Sequence, residues 1–172
     1  MPSEKTQLAA VNQNGCVICH IKNASEKIQF AAVNHDGCAI QYINSYVSEK
    51  LQLAAVYQNE YAIQFISCAS EKIQLAAVKQ NGCAIRYISS PSEKIQFAAI
   101  NQDGSAIRHI DNPSKELQLA SLWDSRARKY VTYGLELPTI HYEWKHNNIT
   151  NSEIFFKKNL SKIRKYFDID FF

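Results

Sequence analysis

A run of about 18 apolar residues, the least that spans a bilayer as a helix, occurs nowhere in this chain of 172 residues. The opening stretch, Met1-Pro2-Ser3-Glu4-Lys5, has no basic segment followed by an apolar core, so no secretory leader is read there and an intracellular protein is expected. Cysteine occurs five times, an odd number, and in a reducing compartment these residues are free thiols that behave as small hydrophobes. Glycosylation sequons at Asn23, Asn148 and Asn159 carry no weight in that setting. Also missing are a glycine-rich phosphate loop, a nucleophile elbow and a carboxylate pair placed for acid–base work. No catalytic, cofactor-binding or metal-binding residue is therefore assigned. The expectation is a non-enzymatic protein without a cofactor, and an enzyme would have to assemble its site within residues 121 to 172.

What the chain does have is ordinary globular composition, 46% hydrophobic and 20% charged, which argues against disorder. Its formal net charge of +3 is unevenly placed. Residues 1 to 120 carry ten Lys and Arg against ten Asp and Glu, and residues 121 to 172 carry nine against six.

The dominant feature is a repeat. Ser3, Ser25, Ser48, Ser70, Ser92 and Ser114 fall in one column at spacings of 22, 23, 22, 22 and 22 residues. The unit reads Ser-Glu-Lys-Ile-Gln-Leu-Ala-Ala-Val-Asn-Gln-Asn-Gly-Cys-Ala-Ile-Arg-Tyr-Ile plus a short linker, giving five complete units and a partial sixth. The serine suits a helix N-cap and the Glu after it suits the positive end of the helix dipole. Pro2, Pro91 and Pro113 precede the cap, where the chain is extended. In the second unit the first helix is expected over about Glu26 to Asn34. Gly15, Gly37, Gly82 and Gly104 are expected to end it in a left-handed turn. Unit three has Glu60 in the glycine column, so strain or a left-handed Asn59 is expected there.

A second short helix is read at Cys38-Ala39-Ile40-Gln41-Tyr42-Ile43 and its equivalents, too short to stand alone in water. The first helix is apolar on two sides, with Ile28, Ala31 and Ala32 opposed to Phe30 and Val33. It has to be covered twice. Stacking of units does this, and the paired alanines let backbones approach closely, which is the logic of an all-α solenoid. The 22-residue period also fits a leucine-rich repeat, but the capping serine and recurring Ala-Ala argue against strands. The expected architecture is an all-α solenoid of stacked two-helix repeats over residues 1–122, followed by a non-repeat C-terminal helical cap over residues 123–172.

The elements Leu53-Ala54-Ala55-Val56, Asn81-Gly82 and Ala84-Ile85-Arg86-Tyr87-Ile88 make the chain resemble a family of short helical repeats abundant in giant, mimivirus-like viruses of amoebae. The resemblance covers residues 3 to about 122, about seventy per cent of the chain. It implies the same helical stack and a viral origin, in host cytoplasm or a virion, and it brings no established activity. Glu60 and the incomplete sixth unit depart from the pattern.

Cys16-Val17-Ile18-Cys19-His20 has the spacing that attaches haem in c-type cytochromes. Its residues nevertheless sit in columns that other units fill differently. Cys16 aligns with Cys38, Tyr61, Cys83 and Ser105, Cys19 with Gln41, Gln64, Arg86 and Arg108, and His20 with Tyr42, Phe65, Tyr87 and His109. Each is thus read as a structural or surface residue. A zinc site would need a second ligand pair, and His141 and His146 are five apart, wrong for one helical face. Cys68, in a linker, is the candidate exposed thiol.

Two functional classes follow. A solenoid presents an extended surface whose residues vary while the packing columns stay fixed, so a protein-interaction scaffold is expected. Its candidate contacts are Asn12, Asn34, Tyr57, Lys79 and Asn101 on the first helices and Gln41, Gln64, Arg86 and Arg108 on the second. The column Gln7, Gln29, Gln52, Gln74, Gln96 and Gln118 is read either as part of that surface or as a hydrogen-bonded ladder. The alternative class is nucleic-acid binding through the C-terminal helix. There, Thr150-Asn151-Ser152-Glu153 forms a capping box, and Lys157, Lys158, Lys162, Arg164 and Lys165 flank an apolar stripe. Either partner, protein or nucleic acid, is unidentified by the sequence.

Overall fold

The column serines Ser3, Ser25, Ser48, Ser70 and Ser92 all have extended backbone, with φ between −66° and −60°, as residues preceding a helix do. In the computed structural model, which describes residues 2–121, each is followed by an α-helix of ten residues: α1 (Glu4–Gln13), α2 (Glu26–His35), α3 (Glu49–Gln58), α4 (Glu71–Gln80) and α5 (Glu93–Gln102). α6 (Lys115–Ser121) begins the sixth unit. Between them lie 3-10 helices at Gly15–His20, Gly37–Tyr42, Glu60–Phe65, Gly82–Tyr87 and Gly104–His109. The described residues contain no strand, and each helix packs on its counterparts in the adjoining units, which makes an all-α solenoid of two-helix repeats. The expected C-terminal cap, residues 123–172, lies outside the described residues.

The second helix is wound more tightly than an α-helix because it has only six residues and must fit between two extended caps. Its N-terminus is capped in every unit by an Asx residue. The side chains of Asn14, Asp36, Asn59, Asn81 and Asp103 each accept a bond from the amide two residues on, at 2.9 to 3.0 Å.

Three local expectations are corrected. The serine hydroxyl caps the α-helix in units one, three and six, where Ser3, Ser48 and Ser114 accept from the amide three residues on at 3.3 Å. Ser25 and Ser70 instead donate to Glu4 and Glu49 of the preceding unit at 2.9 Å, so the cap has become a bridge between units. The glutamine column is hydrogen-bonded throughout, but to the linker that precedes each serine and not as a glutamine-to-glutamine ladder. Each Nε2 from Gln7 to Gln118 donates to the carbonyl five residues back, at 2.8 to 3.3 Å, tying the helix to the chain that enters it.

The third correction concerns glycine. The chain does not turn left-handed at the glycine column. Asn14, Asp36, Asn59, Asn81 and Asp103 are extended, with φ from −153° to −146°, and among the described residues no glycine has positive φ. Left-handed residues sit in the linkers instead, at Asn23, Cys68, Ser90 and Asn112, with φ from 50° to 55°. Glycine is needed for room. A Cβ on Gly15 would lie 2.6 Å from the carbonyl oxygen of Ala32 in the next unit, and one on Gly37 or Gly82 would lie closer still to that of Ala55 or Ala99. The paired alanines matter for this reason: Ala32, Ala55, Ala77 and Ala99 are fully buried at the junctions.

The core runs along the stack. Ile28, Leu51, Ile73, Ile95 and Leu117 form one buried column, Val11, Val33, Val56, Val78 and Ile100 another, and Ile18, Ile40, Ile63, Ile85 and Ile107 a third. Hydrophobic clusters cross unit boundaries, as where Val33 of unit two packs with Leu51 of unit three and Ile73 of unit four. No unit encloses a core of its own.

Gly37→Ala is expected to lower stability by about 1–3 kcal/mol through overpacking against Ala55, measured as a lower urea midpoint. Ser90→Asn, at an exposed left-handed position that asparagine tolerates better than serine, is expected to raise stability by roughly 0.5–1 kcal/mol in the same measurement.

Candidate partner-binding surface

Asn12, Asn34, Tyr57, Lys79 and Asn101 are each the last residue but one of an α-helix, and all are exposed. Gln41, Gln64, Arg86 and Arg108 each occupy the fifth position of a 3-10 helix and are likewise exposed. Beneath both sets lie the buried columns, so these nine side chains change without disturbing the stack. The structure brings some of them together with residues that sequence reasoning passed over.

On the α-helical side, Tyr57 and Lys79 line a groove of about 310 Å³ with Glu71, Lys72, Leu75, Ala76 and Lys94. Lys72, Leu75, Ala76 and Lys79 follow one face of α4, at spacings of three, four and seven, and form its floor. Tyr57 from α3, 63% exposed, forms one wall. Lys94 from α5 reaches Glu71 at 3.5 Å, and both side chains are more than half exposed, so this pair is weak and readily exchanged. Among the described residues, Lys72 and Lys79 make no ion pair. The groove thus has three ammonium groups to one carboxylate around an apolar strip. Lys72, Lys94 and Glu71 were missed because Glu-Lys recurs in all five complete units, and Leu75 because its column, Leu or Phe in every complete unit, reads as packing. The seven-residue offset between the repeating lysine and the variable position, two helical turns on one face, was the available signal.

On the 3-10 side, unit four presents a cluster. The Arg86 guanidinium lies 4.5 Å from the Tyr87 ring centroid and 5.9 Å from that of Tyr61, and it donates to the Tyr87 hydroxyl. Tyr61 and Tyr87 meet edge to face at 5.9 Å. Arg108 donates to His109 Nε2 at 3.0 Å, which requires a neutral imidazole. Partial burial foremost, and then the positive charges of Arg108 and Arg86, hold His109 below the ordinary imidazole pKa. Gln41 and Gln64 turn their amides back onto the carbonyls of Cys38 and Tyr61 at 3.0 and 3.1 Å, leaving the first half of this surface uncharged.

The Cys-x-x-Cys-His segment is spread over a 3-10 helix. Cys16 points toward the next unit, where its thiol donates weakly to Asp36 at 3.7 Å, and Cys19 and His20 are exposed. Burial first, then the Asp36 carboxylate, raises the Cys16 pKa, and the same causes raise that of Cys38, so these thiols resist ionisation. Among the described residues, no three His, Cys, Asp or Glu side chains come together to hold a metal ion, and no helix is long and apolar enough to cross a membrane. Lys157, Lys158, Lys162, Arg164 and Lys165 lie outside the described residues, as do His141 and His146.

Also unforeseen was the column Gln13, His35, Gln58, Gln80 and Gln102. Gln102 accepts from the Gly82 amide at 2.6 Å and donates to the Gln80 carbonyl at 3.1 Å, joining the end of one unit to the next. Gln58 does the same for Gly37 and His35. The recurrence of Gln two residues before glycine was its visible mark. Comparison of the chain with family models, curated proteins and solved structures gives no match in any of the three.

The His109 geometry has a consequence for stability. Its folded-state pKa lies below the unfolded value of about 6.5, so below that pH the unfolded chain binds more protons and folding becomes less favourable. Stability present above about pH 6.5 is expected to fall as pH drops toward 5. In urea titrations at several pH values, His109→Gln should remove that part of the slope.

Proposed function

We propose that the chain is a non-enzymatic repeat scaffold that binds a protein partner through its outward columns. The observation that carries this reading is the separation of the two residue sets. Packing positions are filled alike in every unit, while the outward positions vary, as Asn12, Asn34, Tyr57, Lys79 and Asn101 on the α-helices and Gln41, Gln64, Arg86 and Arg108 on the 3-10 helices. An elongated surface with fixed geometry and free chemistry suits recognition of another chain. Viral origin, with action in host cytoplasm or a virion, belongs to the same proposal and rests on the likeness of the repeat elements to those of giant viruses. The even charge balance of residues 1 to 120 speaks against broad contact with a phosphate backbone.

Affinity capture from infected amoeba extract tests the proposal. The full chain should retain a partner that a variant combining Tyr57→Ala, Lys79→Ala, Arg86→Ala and Arg108→Ala loses, with the helical circular dichroism melt unchanged. Capture of the same set by both chains, or capture of nucleic acid alone with a steep salt dependence, would overturn it.

A further inference from the structure

The groove over α4 has a specific chemistry, and the inference drawn from it rests on the scaffold reading above. We infer that it docks an acidic segment of a protein partner, an extended stretch with carboxylates on either side of an apolar residue. Charge complementarity is the first argument. Lys72, Lys79 and Lys94 face the groove against one carboxylate, Glu71, and two of the three ammonium groups make no ion pair among the described residues. Lys94 is held only by an exposed contact of 3.5 Å, which an incoming carboxylate displaces at little cost.

Shape is the second argument. The floor between Lys72 and Lys79 is apolar, made of Leu75 and Ala76, and Tyr57 stands beside it as a wall with an apolar body and a polar tip. A ligand that satisfied only the lysines would leave this strip wet. A segment that alternates acid and apolar side chains covers both. At about 310 Å³ the groove is at the small end of ligand pockets, which run from about 300 to 1,000 Å³, so it takes a few side chains of an extended chain and not a folded domain.

A nucleic acid is the poorer occupant. Glu4, Glu26, Glu49, Glu71 and Glu93 and the lysine after each are all exposed, so a phosphodiester strand following the stack past this groove would run along a row in which carboxylates offset the ammonium groups. The positive field is local: Lys79 stands where units one, two and five have Asn12, Asn34 and Asn101. A short acidic peptide reaches the lysines of unit four without crossing that row.

Fluorescence anisotropy with the full chain decides the matter. The probes are a fluorescein-labelled peptide with glutamates flanking a central leucine, its glutamine counterpart, and a labelled single-stranded oligonucleotide. The glutamate peptide should bind, and the glutamine peptide should bind at least about tenfold more weakly. Lys72→Glu with Lys79→Glu should cost the glutamate peptide about tenfold or more, while Lys5→Glu with Lys27→Glu, in the same lysine column but outside the groove, should leave it within about twofold. If the charge reversal in the groove unfolds the chain by circular dichroism, Lys72→Gln with Lys79→Gln should give the same loss. No binding up to millimolar peptide, equal binding of both peptides, equal loss in the two double variants, or tighter groove-dependent binding of the oligonucleotide would each overturn the inference. A captured partner that survives Lys72→Glu with Lys79→Glu and is lost with Arg86→Ala and Arg108→Ala would leave the scaffold reading intact and remove only this docking site.

Discussion

The close approach of Gly15, Gly37 and Gly82 to a backbone carbonyl of the next unit is the contact on which the regular stack depends. Two helices meet most closely where neither presents a side chain larger than a methyl group, and here the meeting residues are glycine and the second alanine of the pair. That approach exposes a problem common to all helix ends, the backbone groups left without an intrahelical partner. The structure solves it from the neighbouring unit. Gln58 and Gln102 each take the glycine amide and return an amide proton to a carbonyl at the end of the preceding α-helix. Apolar columns supply the bulk of the burial, and at these two junctions the paired bond adds a fixed distance and register.

Unit three shows what the arrangement does when glycine is absent. Glu60 occupies the glycine column and still begins a 3-10 helix, with Asn59 extended at φ −151°. Gln80, which would otherwise serve this amide, donates to the Val56 carbonyl at 2.6 Å. Asn81 then binds the Glu60 carboxylate at 3.0 Å and the Tyr61 hydroxyl at 2.8 Å, so the junction is held by side chains. Tyr61, placed where other units have Cys or Ser, is the ring against which Arg86 and Tyr87 pack. One departure from the repeat therefore replaces a backbone contact with a polar one and builds the aromatic cluster of the 3-10 side.

Recurrence within the chain made much of the fold legible. Period, extended serine, alanine pair and two-sided apolar helix all follow from residues that repeat, and each is present as a physical feature of the stack. The left-handed glycine turn failed because glycine answers two different needs, positive φ and lack of a Cβ, and a column of glycines does not say which applies. Here the positive φ fell to Asn23, Cys68, Ser90 and Asn112, whose mixed identities carry no obvious signature. Gln13 and its column drew no reading because glutamine at a helix end is ordinary, and the partners of Gln58 and Gln102 lie in another unit. The groove was hidden for a related reason: Glu71, Lys72, Ala76 and Lys94 recur in every complete unit, so nothing in the sequence sets them apart from their counterparts.

Invariant and variable residues thus act jointly at the surface. Lys72 recurs as Lys5, Lys27, Lys50 and Lys94, each followed seven positions on by a variable residue on the same helical face. Where that residue is Asn, the lysine stands alone beside the glutamate that precedes it, and the local field is nearly cancelled. Where it is Lys79, two like charges share one face with no carboxylate between them, and the field points outward. On the 3-10 side of the same unit Arg86 adds to it, and His109, held below the ordinary imidazole pKa first by partial burial, is lowered further by Arg108 and by Arg86 across a unit boundary. A single substitution at a variable position converts a neutral, repeating surface into a charged one without touching a buried residue. The outward charge of such a stack is set by which unit carries the exception, while the repeat fixes how far apart the exceptions stand.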